Sequence, residues 1–389
     1  MKININNYVL YMSGIYVHIP FCRHKCIYCD FYSVGARRAP WERLAAAIVR
    51  EARLRSAEVC GSVRTLYIGG GTPSAMPAEL LADMCVRLRE LFAEKIQLEE
   101  FTVEVNPDDV TEEFAESLLQ TGVNRVSMGV QSFHDEELRA IGRRHTAAQA
   151  VRACSILSQI GNLGIDLIFG LPGQTLSSWA DNVARAIELR PQHISAYALM
   201  WEPGTPLDIM RRQQRVCEVP DTTSAQMYEV LRRELSDAGY EHYEISNYAL
   251  PGYRSRHNSS YWAGAPYLGL GPGAHSYDGR YLRRANPADI DGYLEYYSGS
   301  ECASVPFFED ECLTDNDLRE EYIMTRLRTA AGLSIDDFKT RFGLRESEEL
   351  LKKAGPHIAA RRLIFSADGR LYIDPGSMLV SDSVIVDLF

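Results

Sequence analysis

The stretch Tyr16-Val17-His18-Ile19-Pro20-Phe21-Cys22-Arg23-His24-Lys25-Cys26-Ile27-Tyr28-Cys29-Asp30-Phe31 decides how the rest of the chain is read. The apolar run Ile15–Ile19 reads as a strand that delivers the chain into a loop with three cysteines spaced C-x3-C-x2-C. Three thiolates on one loop can ligate three irons of a 4Fe-4S cubane and leave the fourth iron open. Amino and carboxylate groups such as those of S-adenosylmethionine can chelate an open iron. Tyr28, between the second and third cysteines, is placed to pack against an adenine. The bland alternative is structural zinc on Cys22, Cys26 and Cys29 with His18 or His24 as fourth ligand. Zinc sites usually bring a second C-x2-C or H-x3-H pair downstream, and none follows at suitable spacing.

Outward from this loop, short apolar runs alternate with amphipathic stretches. Strands are expected at Ile15–Ile19, Thr65–Ile68, Phe101–Val105, Arg125–Val130, Gly164–Phe169 and His193–Tyr197. The helical patterns between them are Trp41–Arg55, Ala78–Phe92, Glu112–Gln120, Asp135–Ile141, Ala147–Ile160 and Ser177–Leu189, and Thr146 with Gln149 forms a capping box. Repeated strand–helix–strand units imply parallel pairing with right-handed crossovers. Six strands are fewer than the eight that close a barrel of this type. The expected fold is therefore α/β: an open partial (β/α)6 TIM-like barrel, with its working face where strands end and helices begin.

After Tyr197 the rhythm changes. Met200–Pro220 is rich in Pro, Gly and charge, Asp221–Ala238 reads as a strong helix, and Gly239–Asn286 reads as Tyr/Gly-rich and loop-heavy. From Thr314, capped with Asp317, an amphipathic helix runs to Thr329, followed by helical patterns at Ile335–Phe342 and Glu346–Ala354. Arg362–Ser366 and Arg370–Ile373 flank Ala367-Asp368-Gly369, a hairpin signal. Helices followed by a small hairpin suggest a C-terminal winged-helix-like domain. The expected division is an N-terminal extension at 1–13, a partial barrel at 14–200, an extension at 201–305 and the winged-helix-like domain at 306–389.

The 389 residues carry 41 Lys+Arg against 52 Asp+Glu, a formal charge of −11. That balance repels phosphate backbones, so nucleic acid is not expected as a partner, winged helix notwithstanding. No window holds the roughly 18 apolar residues a membrane span needs. The N-terminal run is too short for a signal peptide, which makes the cytoplasm the expected compartment. The remaining cysteines, 60, 85, 154, 217, 302 and 312, show no pairing rhythm and read as buried small hydrophobes rather than disulfides.

Further motifs stand at the expected strand ends. Gly69-Gly70-Gly71-Thr72-Pro73 closes the second strand, where glycines admit a ligand close to the backbone. Glu104, Gln131 and Asp166 lie near the ends of the third, fourth and fifth strands, with Arg143 in the next helical segment. Buried polar groups need partners, which a cofactor or a structural ion pair inside the barrel can supply. His257-Asn258-Ser259-Ser260-Tyr261-Trp262 lies in the Tyr-rich region. A histidine there is either a satisfied core residue or an axial ligand to haem iron with aromatic rings over the macrocycle.

The cysteine spacing after a first βα strand resembles the radical S-adenosylmethionine (SAM) superfamily. The words YVHIPFC, YIGGGTP, VEVNP, NRVSMGVQSF, DLIFGLPGQT, HISAYAL and YEISNYA narrow it. In this order they resemble the branch that holds oxygen-independent coproporphyrinogen III oxidase and the HemW-type haem chaperones. The resemblance covers nearly the whole chain. It implies a 4Fe-4S cluster on Cys22, Cys26 and Cys29, and SAM held by Tyr16, Tyr28, Gly70, Gly71, Thr72, Glu104, Gln131, Arg143, Asp166 and Ala198. It also implies haem at His257; should another residue be the ligand, His275 is the next candidate.

Departures within that branch favour haem handling. The oxidase carries a fourth cysteine two positions after the third, where this chain has Phe31, and it has a substantial segment before its cluster where this chain has 21 residues ahead of Cys22. The expectation is a haem chaperone that delivers haem to acceptor haemoproteins and lacks coproporphyrinogen oxidase activity; the alternative is the radical decarboxylase itself. The reading carries no integral membrane segment and leaves room for peripheral membrane association with respiratory acceptors and for a homodimer. A zinc-stabilised DNA-binding regulator is the third class, and the acidic balance speaks against it.

Overall fold

The computed structural model describes residues 12–59, 61–299 and 306–389. Cys60, Cys302 and most of the expected 1–13 extension lie outside them. The chain enters through β1 (Met12–Ile19), and a short parallel pair, β2 (Phe21–Cys22) with β3 (Val34–Gly35), ties together the two ends of the cysteine loop. Then follow α1 (Trp41–Arg55), β4 (Ser62–Gly70), α2 (Ala78–Leu91), β5 (Ile96–Val105), α3 (Glu112–Gln120) and β6 (Arg125–Gln131). The series continues with α4 (Asp135–Ala140), α5 (Ala147–Leu157), β7 (Leu163–Phe169), α6 (Leu176–Leu189) and β8 (His193–Ala198). Strands β1, β4, β5, β6, β7 and β8 pair in that order, each parallel to the next.

The expected six-strand parallel run is therefore present, and it stays open. Its strands read as near-continuous apolar runs because both faces are covered: Val126, Met128 and Val130 of β6 are fully buried, as are Ile165 and Leu167 of β7. Each helix buries one stripe, as α1 does with Leu44, Ile48 and Ala52. The capping box of Thr146 and Gln149 forms as the spacing predicts.

The region 239–286, expected to be loop-heavy, is where the structure departs. After α7 (Pro206–Arg212) and α8 (Asp221–Asp237), strands β9 (Glu241–Glu244) and β10 (Asn247–Ala249) extend the sheet beyond β8. Past α9 (Arg256–Trp262), β11 (Tyr267–Leu270) adds parallel to β1 on the opposite edge. There β12 (His275–Tyr277), β13 (Leu282–Ala285) and, after α10 (Ile290–Ser298), β14 (Glu309–Cys312) continue antiparallel. The result is a 12-stranded sheet. These strands are three or four residues long and broken by Gly and Pro turns, too short to show a period-two pattern.

The C-terminal module packs α11 (Asp315–Leu327), α12 (Ile335–Phe342) and α13 (Leu344–Ala359) with a small antiparallel sheet. That sheet places β17 (Arg370–Ile373) between β15 (Leu333–Ser334) and β16 (Leu363–Phe365), and α14 (Ser381–Val386) closes the chain. This is the winged-helix-like arrangement, with one strand more than the hairpin signal announced. Helix α13 also runs through Pro356 instead of stopping at Ala354, because Leu350, Ala354 and His357 form one buried stripe that continues across the proline. Of the scattered cysteines, Cys85 and Cys154 are buried as expected, whereas Cys217 and Cys312 are exposed.

Two buried carboxylates bind the added strands to the parallel core. Glu51 of α1, with no exposed surface, accepts from Arg55 (2.8 Å), Asn286 (2.7 Å), the Gly271 amide (2.8 Å) and the Tyr293 hydroxyl (2.6 Å). Glu100 of β5 accepts from the Arg256 and His257 amides at 2.7 and 3.0 Å, so a core strand caps the N-terminus of α9. Removing Glu51 leaves its donors unpaired in the interior. Glu51→Ala is expected to cost about 3–5 kcal/mol in urea unfolding, and a loss within about 0.5 kcal/mol would show that Glu51 does not fasten these strands.

Glu244, at the other edge, is buried, and desolvation pushes its carboxyl from 4.5 up to about 7. Its protonated form is the one the fold prefers. The stability this confers is complete below pH 4.5 and is lost as pH rises through about 7. Glu244→Gln should therefore raise stability at about pH 8 by on the order of 2 kcal/mol and leave it unchanged at about pH 4, which thermal unfolding at the two pH values reads directly.

Candidate functional site

The register of β1 on β4 sets His18 beside Gly69 and Ile19 beside Gly70, and the Gly71 amide donates to the Ile19 carbonyl at 2.8 Å. The cysteine loop and the glycine turn are thereby pinned side by side. Thr72 Oγ1 lies 3.4 Å from Cys22 Sγ, and Arg143 Nη1 lies 3.4 Å from Cys26 Sγ. The far side of the loop is fastened by Ile27, whose amide donates to the Ile141 carbonyl and whose carbonyl accepts from the Leu207 amide.

The three thiols sense one another. Desolvation raises the Cys22 and Cys29 thiols, Cys29 to about 11, and the Cys26 thiolate adds to both. Among the described residues no set of three His, Cys, Asp or Glu is gathered as a single-metal site. Zinc would require such a set and a fourth ligand. His18 is committed elsewhere, with Nδ1 at 2.9 Å from the Tyr16 hydroxyl and Nε2 at 2.9 Å from the Tyr32 carbonyl, and His24 is exposed. Three thiols on one loop fit a cluster, where each sulfur meets a different iron.

The glycine turn is a cradle. Gly70 has φ +112°, and a Cβ there would stand 2.7 Å from His18 Nδ1. A Cβ on Gly71 would stand 3.0 Å from Cys22 Sγ and from the Ile19 and Phe21 carbonyl oxygens. Only glycine leaves this space open without strain.

Along the same edge the burial of the strands is interrupted. Tyr16, Gly70, Glu104, Gly129 and Asp166 each retain partial exposure within otherwise buried stretches, and Tyr197 and Ala198 are exposed at the end of β8. These residues neighbour one another across the sheet: Tyr16 faces Tyr67, Glu104 faces Ser127, Gly129 faces Asp166 and Phe169 faces Ala198. A polar concavity thus runs across the C-terminal ends of six parallel strands, the side on which ligands bind in open α/β sheets.

Glu104 accepts from the Tyr67 hydroxyl at 2.7 Å and from the Gly70 amide at 3.1 Å, while desolvation pushes it up to about 7. Asp166, raised mainly by desolvation, lies 3.3 Å from Ser127 Oγ and feels the buried Arg125. Gln131 adopts φ 66°, a left-handed conformation uncommon outside glycine, at the point where β6 turns into the concavity. Arg143 reaches from the following loop to Asn106 Oδ1 (2.8 Å) and the Gly129 carbonyl. Tyr28 packs with Ile141, Ile168, Leu171 and Leu199, an apolar wall at the rim.

All the sequence-singled residues except His257 meet at this concavity. Asn106, Ser127 and Arg125 belong to the same network, and the sequence reading does not single them out. Asn106 lies in the word VEVNP and Arg125 opens an apolar strand, but the partners of each come from distant segments that the sequence does not reveal. His257 lies in α9, 1% exposed, with Nδ1 at 2.8 Å from Thr65 Oγ1 and Nε2 at 2.8 Å from the Tyr261 hydroxyl. Its ring stacks on Tyr67 at 4.9 Å, and burial lowers its pKa to about 3. Both ring nitrogens of His257 thus have hydrogen-bonding partners, the arrangement of a satisfied core histidine.

An open parallel sheet with a three-cysteine loop after its first strand is the architecture of radical SAM proteins, and the Radical SAM superfamily model matches residues 16–186. A HemN C-terminal domain model matches residues 313–379. The chain is 33% identical over 377 residues to a Bacillus subtilis protein named heme chaperone HemW, covering 96% of this chain and 98% of that one. It is 36% identical over 310 residues to the Escherichia coli heme chaperone HemW, covering 76% and 80%. The solved structure of coproporphyrinogen III oxidase (HemN) from Escherichia coli shares the fold, with TM-score 0.80 at 21% identity, covering 97% of this chain and 90% of that one. The chain belongs to the HemW family within the radical SAM superfamily. Membership of the superfamily implies a 4Fe-4S cluster and SAM.

The contacts around Gly71 generate a test that removes no ligand. Gly71→Ala should displace Cys22 and lower the iron and sulfide content of anaerobically purified protein roughly twofold or more. Full cluster content in that variant would show that the turn does not shape the loop.

Proposed function

We propose that this protein is a haem chaperone: it carries a 4Fe-4S cluster on Cys22, Cys26 and Cys29, binds SAM beside it, and holds haem for transfer to acceptor haemoproteins. The observation that carries the cofactor assignment is the interrupted burial at the C-terminal strand ends, where an open polar concavity adjoins the three thiols. Gly70, Gly71 and Thr72 would take the methionine end of SAM. Glu104, Gln131, Asp166 and Arg143 would meet its carboxylate and ribose, Tyr16 and Ala198 would line the contact, and Tyr28 with its apolar neighbours would face the adenine. When bound, the cluster supplies one electron and an open iron. The chain's own residues orient the cofactor and keep the thiols in place.

The haem assignment is supported by kinship with relatives named heme chaperone over nearly the full chain. Phe31, where the resemblance places the oxidase's fourth cysteine, weakens the decarboxylase reading. No helix among the described residues is long and apolar enough to cross a membrane. We place the protein in the cytoplasm, with peripheral association where acceptors are membrane-bound.

Alanine at Cys22, Cys26 or Cys29 should each abolish the brown absorbance of the anaerobic protein; an intact cluster in any one would remove that residue from the ligand set. Cluster-loaded protein given SAM, a strong reductant and coproporphyrinogen III should yield no decarboxylated product by mass spectrometry. Multiple turnovers with loss of two carboxyl groups per substrate would make the protein an oxidase.

A further inference from the structure

A cavity of about 1050 Å³ opens between the β11–β13 edge of the sheet and helices α11 and α12 of the C-terminal module, away from the cysteine loop. It stands at the upper end of the roughly 300–1,000 Å³ of ordinary small-molecule sites. Two features of its lining are unusual for this chain.

The first is aromatic. Tyr261, Tyr267, Tyr277, Tyr281 and Tyr322 contribute to the walls. Tyr261 and Tyr267 meet edge to face at 4.7 Å, and Tyr322 carries Arg341 over its ring at 4.9 Å. The second is charge. Five arginines (280, 283, 319, 326 and 341) line the cavity against three acidic residues, Asp315, Glu321 and Glu346. In a protein of formal charge −11, arginines thus outnumber acids in this lining. Arg283 is paired with Glu321 and Glu311, and Arg319 with Glu346 and Glu320. Arg326 donates to the Trp262 and Ala263 carbonyls at 2.7 and 3.0 Å, and no carboxylate among the described residues pairs with it. The side chain of Arg280 has no polar partner among the described residues and lies at the exposed rim. Aromatic walls with surplus guanidinium groups match a flat aromatic macrocycle that ends in two carboxylates.

The cleft is joined to the cofactor concavity. Tyr261, in its inner wall, hydrogen-bonds His257 Nε2; His257 stacks on Tyr67; and Tyr67 donates to Glu104, which also holds the Gly70 amide. His257 therefore stands between the two spaces as a positioning residue.

We propose that this tyrosine- and arginine-lined cleft is the haem seat, an assignment that rests on the haem-carrier reading above. The macrocycle lies among the tyrosines, and its propionates meet the guanidinium groups at the rim. Its iron is not ligated by His257.

The test is haem titration of the full-length, cluster-loaded protein, followed at the Soret band. Wild type is measured first: absence of stoichiometric haem binding overturns the carrier reading itself, and the seat with it. Ala263→Trp and Thr340→Trp then place bulk into the cleft from opposite walls without touching the cysteine loop. Each is expected to weaken haem binding about tenfold or more with cluster absorbance unchanged, and Arg280→Glu about threefold. His257→Ala should retain the wild-type Soret maximum. Wild-type affinity in both tryptophan variants would overturn the cleft assignment while leaving the carrier reading intact. Loss of the Soret band in His257→Ala alone would move the haem to α9.

Discussion

Everything at the working face depends on the parallel register between β1 and β4. That pairing sets Ile19 level with Gly70, and the hydrogen bond from Gly71 to Ile19 leaves the glycine turn in contact with the loop that begins at Cys22. Shifting β1 by one residue would turn Tyr16 away from the face it shares with Tyr67. Within the loop the Cys29 amide donates to the Cys26 carbonyl and Lys25 Nζ to the Phe31 carbonyl. The loop's ends are held by the β2–β3 pair, and its middle by backbone bonds to Ile141 and Leu207. Ligand geometry is thus set by the surrounding fold as well as by the cysteine segment.

A second layer of order comes from buried carboxylates used as fasteners. Glu51 binds the 271–293 region to α1, Glu100 caps α9 from inside the sheet, and Glu137 gathers Ser132, Gln174, Ser178 and Asn182. Each is buried with its hydrogen-bonding capacity filled, the condition under which an interior charge is tolerated. The elements that Glu51 and Glu100 fasten carry tyrosines of the cleft. A continuous line of contacts between the strand-end polar face and the tyrosine-lined cleft follows, with His257 at its middle.

The parallel core is legible in the sequence because its signals are local. Apolar runs of four to six residues, capping pairs such as Thr146 with Gln149, and the cysteine spacing all survive in a linear reading. Helix bounds from α1 to α6 agree with the pattern to within a few residues. The strands between 241 and 285 are illegible because pairing, not periodicity, makes them strands: β11 exists through its match to β1. The site is legible where a polar residue interrupts an apolar strand, as Glu104 and Asp166 do. It is illegible where partners come from distant segments, as with Arg125 and Asn106. His257 shows the limit most clearly. Its motif is conspicuous in the sequence, yet only the fold reveals that Thr65 and Tyr261 already occupy both ring nitrogens.

The central claim is that this radical SAM architecture serves haem delivery. The most direct measurement is transfer from haem-loaded protein, with its cluster intact, to an apo-haemoprotein acceptor, followed by the shift of the Soret band to that of the acceptor's holo form. Stoichiometric transfer faster than spontaneous haem release is the predicted result, slowed when the cluster ligands are replaced. Transfer no faster than release into buffer, with or without the cluster, would contradict it.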